Sequence, residues 1–329
     1  DFPILKSVIH QFTDADLAVV KQDWQIIIDK IKAGKAHEIS ESDTMYLAAC
    51  TKGANAKSMR QQPFSDIPAK QRAYSLKSSY MTAYVRRILM NEDVISVFKP
   101  EELKSKSVDE LLHERFAPYI GHTLYELKRH INFAENKNKA MYANLVSDLL
   151  GIKGTSLDDT EEFAKANIKF KTIRLESNGV PREHMSFEQI DFNRWLNASW
   201  EESQVYETFE NTKFLFVVFQ FTEAERENPN RVPYLKGIKL WNMPEQVIET
   251  ELKDLWKTVH DILEAGVELT QTPRGVRNNL PGAKFNGICH IRPKAANAAD
   301  KVRLPDGQMI TKQTYWLNRE YIAEIVREL

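Results

Sequence analysis

The chain is poor in the features that mark specialised protein classes. It has two cysteines in 329 residues, Cys50 and Cys289. That is too few for a disulfide framework, so a reducing, cytoplasmic home is expected. Its 12 glycines and 13 prolines are too scarce for a collagen-like or low-complexity chain. No run of 18 apolar residues exists, which excludes a membrane-spanning helix of ordinary length. The longest apolar stretch, Phe214 to Phe219, has the length of a buried strand. The opening DFPILKSV lacks the basic and apolar regions of a signal peptide. Neither sign of charge dominates: 45 Lys and Arg face 46 Asp and Glu, a net charge of −1. Any attraction to nucleic acid must therefore be local.

The periodicities that are present predict both helices and strands. Residues 14–33 place Leu17, Val20, Trp24, Ile27, Ile28 and Ile31 at helical spacing, and Gly34 ends the pattern. Helices are also expected over 100–116, 139–150 and 245–265, the last ended by Gly266. NIKFKTIRL (167–175) alternates as a half-buried strand does, KFLFVVFQF (213–221) reads as a buried one, and YLKGIKLW (234–241) reads as its hairpin partner. Helices, then a small strand group, then a helix suggest an α+β fold with a mixed sheet.

Four features recur in order. Trp24 precedes Gly34 by ten residues, and Trp256 precedes Gly266 by ten. TKGANAK (51–57) follows the first helix and RPKAANA (292–298) the second. Lys52 stands 24 residues before Leu76 in YSLKSSY, and Lys294 stands 23 before Leu317 in YWLNREY. A helix then follows in both. This reads as an internal repeat. The second copy has a long run of helices and strands before its Trp–Gly helix, whereas the first has almost none. The expectation is that residues 1–98 form the end of one domain, the chain beginning inside it, and 99–329 a complete second one.

Local charge follows the same repeat. Segment 51–90 holds eight basic residues (Lys52, Lys57, Arg60, Lys70, Arg72, Lys77, Arg86, Arg87) and one acid, Asp66. Segment 283–319 holds seven (Lys284, Arg292, Lys294, Lys301, Arg303, Lys312, Arg319) against Asp300 and Asp306. Matching basic segments suggest two surfaces that track phosphates. Asn55, Tyr74, Asn297 and Trp316 add groups able to reach base edges. Cys50, Cys289 and His290 lack zinc-type spacing and are expected to be structural.

RPKAANA followed at this spacing by YWLNREY resembles the C-terminal region of MutH, the mismatch-repair nicking endonuclease. PYIGHTLYEL (118–127), KAMYANLVSDLLG (139–151) and NIKFKT (167–172) are similar to its early helix, its helix with the first catalytic carboxylate and its Glu-x-Lys strand. Residues 1–98 resemble the end of a second such domain. Two fused MutH-like domains are an architecture of GATC-cutting restriction endonucleases in this family, in which the first domain cuts and the second is an allosteric DNA-binding copy. The resemblance implies the restriction-endonuclease core, with carboxylates holding Mg²⁺ and a Lys orienting the attacking water.

The departures from the family pattern matter as much. Asp148 takes the helix position, Glu162 the next acid, and Lys171 the final Lys, but Lys169 replaces the Glu of Glu-x-Lys. An intact set carries a net −2; this one carries zero, and a Lys supplies no oxygen to a hard cation. Asp158, Asp159 or Glu161 could stand in for Glu162, but none repairs Lys169. The second site is therefore expected to be degenerate, with no metal in this chain and Mg²⁺ reserved for the parent enzyme. The resemblance places DNA contacts at Lys52, Asn55, Lys57, Lys77, Lys137, Lys139, Arg292, Lys294, Asn297, Trp316 and Arg319. Arg292 and Lys294 enter the groove, and Trp316 stands where the family has a Tyr that reads adenine and its methylation. The expected partners are GATC duplex DNA, a second copy of the protein on the palindrome, and a preceding catalytic part. Two alternatives stay open: an active Mg²⁺ nuclease using acids from 148–162 with Lys171, and a protein-interaction module whose basic residues are paired with acidic neighbours.

Overall fold

The structure is a computed structural model that describes residues 7–52, 58–90, 94–133, 140–273 and 275–329. It opens with helix α1 (Asp14–Lys32), then strands β1 (Leu47–Thr51), β2 (Met59–Gln62), β3 (Ser65–Lys70) and β4 (Arg72–Leu76), and helix α2 (Ser78–Met90). Five helices come next: α3 (Pro100–Ser105), α4 (Val108–Phe116), α5 (Leu124–His130), α6 (Met141–Leu149) and α7 (Glu161–Ala166). They lead to β5 (Ile168–Leu175), β6 (Met185–Gln189), α8 (Phe192–Asn197), α9 (Gln204–Asn211), β7 (Lys213–Gln220) and β8 (Tyr234–Trp241). Helix α10 (Glu245–Val247) runs through a π-helical stretch, Ile248–Leu252, into α11 (Lys253–Ala265). The chain ends with β9 (Leu269–Thr272), β10 (Gly275–Asn278), β11 (Cys289–Pro293), β12 (Lys301–Arg303), β13 (Met309–Thr311), β14 (Gln313–Leu317) and α12 (Arg319–Ile325).

The central sheet has the order β5-β7-β8, with β5 parallel to β7 and β8 antiparallel to it. This is the mixed sheet that the strand patterns predict. β7 is apolar on both faces because it is covered on both. Phe214, Phe216 and Val218 enter one core with Trp195, Leu255 and Tyr315. Leu215, Val217 and Phe219 enter the other with Leu111, Leu145 and Phe163. A second, antiparallel sheet, β11-β14-β6, packs against the first core.

The second core also takes Ala15, Val19, Tyr46 and Tyr80, so the described residues before 99 share a core with the helices and sheet that follow. Helix α1 lies where its periodicity predicts, but it turns a different stripe inward. Ala15, Asp16, Val19, Asp23 and Ile27 are buried, while Trp24 and Leu17 are 46% and 39% exposed. The buried acids are the reason. Asp23 accepts from the backbone N–H groups of Met45, Tyr46 and Leu47 (2.7, 2.6 and 2.9 Å), and both Asp16 carboxylate oxygens accept from the Lys165 ammonium (2.8 and 3.0 Å). Together these groups override the apolar stripe.

The repeat has a close structural counterpart. β1 pairs with β4 over five residues, Leu47↔Leu76 to Thr51↔Arg72. β11 pairs with β14 over five, Cys289↔Leu317 to Pro293↔Gln313. The same two bonds close both ladders. Lys52 N donates to Gln71 O (2.8 Å) as Lys294 N does to Lys312 O (2.9 Å), and Lys77 N donates to Tyr46 O as Asn318 N does to Ile288 O. Each ladder carries a hairpin, β2–β3 or β12–β13, and is followed by a helix. Gly34 and Gly266 both adopt positive φ. At Gly34 a Cβ would come within 2.6 Å of Phe64 O, so glycine is needed there for space as well as conformation.

Candidate functional site

The odd-numbered residues of β5 face the core shared with the β11-β14-β6 sheet, and Ile173 and Leu175 are buried there. Lys169 and Lys171 lie on the same face nearer the strand's start, where a cleft opens. This cleft has a volume of about 380 Å³, and its lining includes Asp158, Lys169, Lys171, Glu188 and Arg194. Asp158 is the acid that comes to the lysines. Its Oδ1 accepts from Phe170 N (2.7 Å), and its Oδ2 lies 3.7 Å from Lys169 Nζ. Burial pushes its carboxyl up from the ordinary aspartate range. Lys171 sits with its ammonium 5.3 Å from the centre of the Phe187 ring. It has no hydrogen-bond or ion-pair partner among the described residues, and burial, then the charge of Lys294, lowers its pKa. Lys294 reaches in from the end of β11 and donates to Ser186 Oγ (2.8 Å).

Two positions expected in this site lie elsewhere. Glu162 is buried with its carboxylate turned to the 96–98 turn, where it accepts from Val97 N (2.9 Å), Phe98 N (3.4 Å) and the Ser96 hydroxyl. Three donors on a neighbouring segment outcompete the cleft, so Asp158, not Glu162, is the acid beside the lysines. Asp148 is half-buried near the end of α6 and does not line the cleft.

A stack of rings spans the β11-β14-β6 sheet, from His184 before β6 through His290 of β11 to Trp316 of β14. His290 is buried; its Nδ1 donates to Asn318 Oδ1 (2.6 Å), and its Nε2 has no partner among the described residues. Burial holds its pKa down to about 4, so it is neutral. It meets His184 edge-on at 4.6 Å and stacks on Trp316 at 6.5 Å. The Arg292 guanidinium lies over the opposite part of this ladder, 5.6 Å from the Trp316 ring centre. Trp316 Nε1 donates to Arg292 O (3.2 Å), so its N–H is already used and cannot read a base in this arrangement. Arg319 N donates to His184 Nδ1 (3.1 Å), and its guanidinium bonds Glu320 and the Arg182 carbonyl. Asn297 Oδ1 accepts from Ala299 N (2.9 Å) in an exposed turn.

Among the described residues of the basic segment 51–90, several cations are paired with acids of the same chain. Lys70 pairs with Glu245 and Glu249 (2.7 and 2.6 Å), Arg72 with Glu210 and Glu245 (3.1 and 3.4 Å), and Arg87 with Glu161 (3.2 Å). Lys77, expected at the DNA surface, is buried instead, and its ammonium donates to Thr44 O (2.6 Å) and Ala166 O (3.3 Å). Lys52, Arg60 and Arg86 are exposed. Asn55, Lys57, Lys137 and Lys139 lie outside the described residues. Ser186, Glu188, Arg182 and His184 give no motif in the sequence; they reach the site because β6 pairs with β14.

Lys77 carries a consequence for pH. Burial holds its pKa down to about 7 from 10.5. The unfolded chain therefore binds the extra proton between those values, and stability rises with pH across that window. Lys77→Met should shrink the rise, read from denaturant midpoints between neutral pH and the ordinary lysine range. An unchanged rise would show that Lys77 is not the group responsible.

A mixed sheet between two cores, with a Lys-x-Lys strand opening beside a three-stranded arm, defines a restriction-endonuclease-like fold. The family model described as DNA mismatch repair enzyme MutH matches residues 150–254. The type II restriction enzyme Sau3AI of Staphylococcus aureus is 37% identical over 354 residues, covering 95% of this chain and 71% of that protein. The DNA mismatch repair protein MutH of Actinobacillus pleuropneumoniae serotype 3 is 24% identical over 231 residues, 68% of this chain and 94% of its own. That of Vibrio campbellii is 27% identical over 138 residues, 42% of this chain and 54% of its own. The chain belongs to the family of MutH and the Sau3AI-type type II restriction endonucleases. Among the described residues no helix is long and apolar enough to cross a membrane.

Proposed function

We propose that this chain binds duplex DNA at GATC sites through the 283–319 arm and the cleft beside it, and that its cleft does not cut. The observation that carries the second half is the pairing of Lys169 with Asp158 where the family pattern asks for a carboxylate. Two ammonium groups converge there, and the acid's Oδ1 is already bonded to Phe170 N. Mg²⁺ serves a cutting domain of the parent enzyme in this reading, and DNA held at the arm acts as an allosteric effector. Effector action requires that DNA bind one state of the enzyme more tightly than another. A palindromic site suits two copies of the protein related by a two-fold axis.

The test is an anisotropy titration with a GATC duplex and a scrambled one at fixed salt with Mg²⁺, and then a denaturing gel. The expected result is tighter binding to the GATC duplex, with both strands intact. Cut strands would overturn the non-catalytic reading, and equal weak binding would overturn the recognition reading.

A further inference from the structure

The family's chemistry implies Mg²⁺ in the cleft, and the donor set here does not fit it. A small hard cation needs several oxygen ligands in near-octahedral geometry. Of the two carboxylates in the cleft that lie near the lysines, Asp158 has Oδ1 bonded to Phe170 N and Oδ2 facing Lys169. Glu188 stands near Lys171, whose pKa its charge raises. Two lysines of one strand share the space with them, and the Lys294 ammonium is held at Ser186 Oγ (2.8 Å), next in sequence to the Phe187 whose ring lies against Lys171. Arg194 and Glu207 pair with each other at 2.6 Å and cancel. What remains is three ammonium groups against two carboxylates, a balance that repels a cation and has room for one anion.

Resting on the DNA-binding reading, we propose that Lys169, Lys171 and Lys294 form a metal-independent seat for one phosphodiester of the bound duplex. Three observations converge on it. Two of the lysines stand on β5 and the third directly after β11, segments more than 100 residues apart in the chain. Lys171 is half-buried against the Phe187 ring with no anionic partner in bonding distance among the described residues, a cost that an arriving phosphate relieves. Lys294 is fixed at both ends, by its backbone N–H to Lys312 O and by its ammonium to Ser186. The seat thus supplies the positive charge that a metal ion supplies in a cutting site, but no group that activates water.

The experiment is anisotropy with a labelled GATC duplex and the whole chain, in excess EDTA and in Mg²⁺ at matched ionic strength, over a range of salt. Wild-type affinity should agree within about twofold with and without the metal. Lys171→Ala should bind roughly tenfold more weakly and lower the slope of log affinity against log salt by about 1, as the loss of one phosphate contact does. Lys169→Ala, at the exposed rim, carries the same test should Lys171→Ala not fold. Wild-type binding that needs Mg²⁺ would overturn the proposal, as would lysine variants whose salt slope is unchanged. A wild type that binds neither duplex would instead bring down the DNA-binding reading, and the seat with it.

Discussion

Arg72→Ala should destabilise the chain by about 3–5 kcal/mol, the cost of breaking a buried ion pair from one side. Arg72 holds two acids from the other half of the chain, Glu210 of α9 and Glu245 of α10, and donates to Ala49 O as well (2.8 Å). Its side chain and those of both glutamates are almost fully buried. Lys70 and Arg72 face three carboxylates there, Glu210, Glu245 and Glu249. Burial first, and the neighbouring Glu245 second, push the Glu210 carboxyl well above the ordinary glutamate range. Removing the guanidinium leaves Glu210 and Glu245 facing each other.

This cluster also fixes the sign of a pH effect. A carboxyl with a raised folded pKa binds more protons folded than unfolded above the ordinary value of 4.5, so its contribution to stability falls as pH rises. Without Arg72 that pKa rises further. The deficit of Arg72→Ala relative to wild type should therefore narrow as pH is lowered towards 5. Paired urea melts at mildly acidic and mildly basic pH measure it. A deficit below about 1 kcal/mol at both pH values, the range of an exposed pair, would show that the cluster does not hold the halves together.

If the chain reads GATC as proposed, with Arg292 making a bidentate guanidinium contact to a base, Arg292→Ala should cost about 1–3 kcal/mol of GATC binding and bring the GATC and scrambled affinities closer together. Lys294→Ala should weaken both duplexes alike. The ring ladder sharpens the expectation. The sequence places Trp316 as a base reader, but its N–H is bonded to Arg292 O and the Arg292 guanidinium lies against its ring. On the proposed DNA-binding reading this contact gives Trp316 a positioning role. Trp316→Phe keeps the ring and should retain most of the discrimination, whereas Trp316→Ala should lose most of what Arg292→Ala loses. Competition titrations against scrambled duplex separate these outcomes. Should Trp316→Ala bind GATC as wild type does, the ring does not orient Arg292.

Much of the fold was legible because its signals are local. The run Phe214–Phe219 and the alternation in 168–175 gave β7 and β5, and Gly34 and Gly266 ended their helices. The repeat, read from a few residues, corresponds to two ladders of equal length and register. What the sequence concealed depends on long separations. The basic residues of 51–90 looked free because their acidic partners stand 138 to 179 positions later for Lys70 and Arg72. Asp158 and Glu162 could not be told apart within one acidic run, since the choice rests on the 96–98 turn claiming Glu162. The inward phase of α1 is set by buried aspartates, which hydrophobic periodicity does not count.

The two ladders are closed by the same bonds, so the segments Lys52–Gln71 and Lys294–Lys312 leave and rejoin their frameworks at equivalent points. They are 20 and 19 residues long. Each is in effect an exchangeable cassette on a common socket. One cassette ends in residues that clamp the protein to itself, and the other begins with residues that face outward. Transplanting the second onto the first socket, with Arg72 left in place and a lysine kept at position 70, would carry the outward-facing residues to a second site and spare the pairs with Glu210, Glu245 and Glu249. On the proposed DNA-binding reading, matching sockets let the reading surface change while the clamp stays.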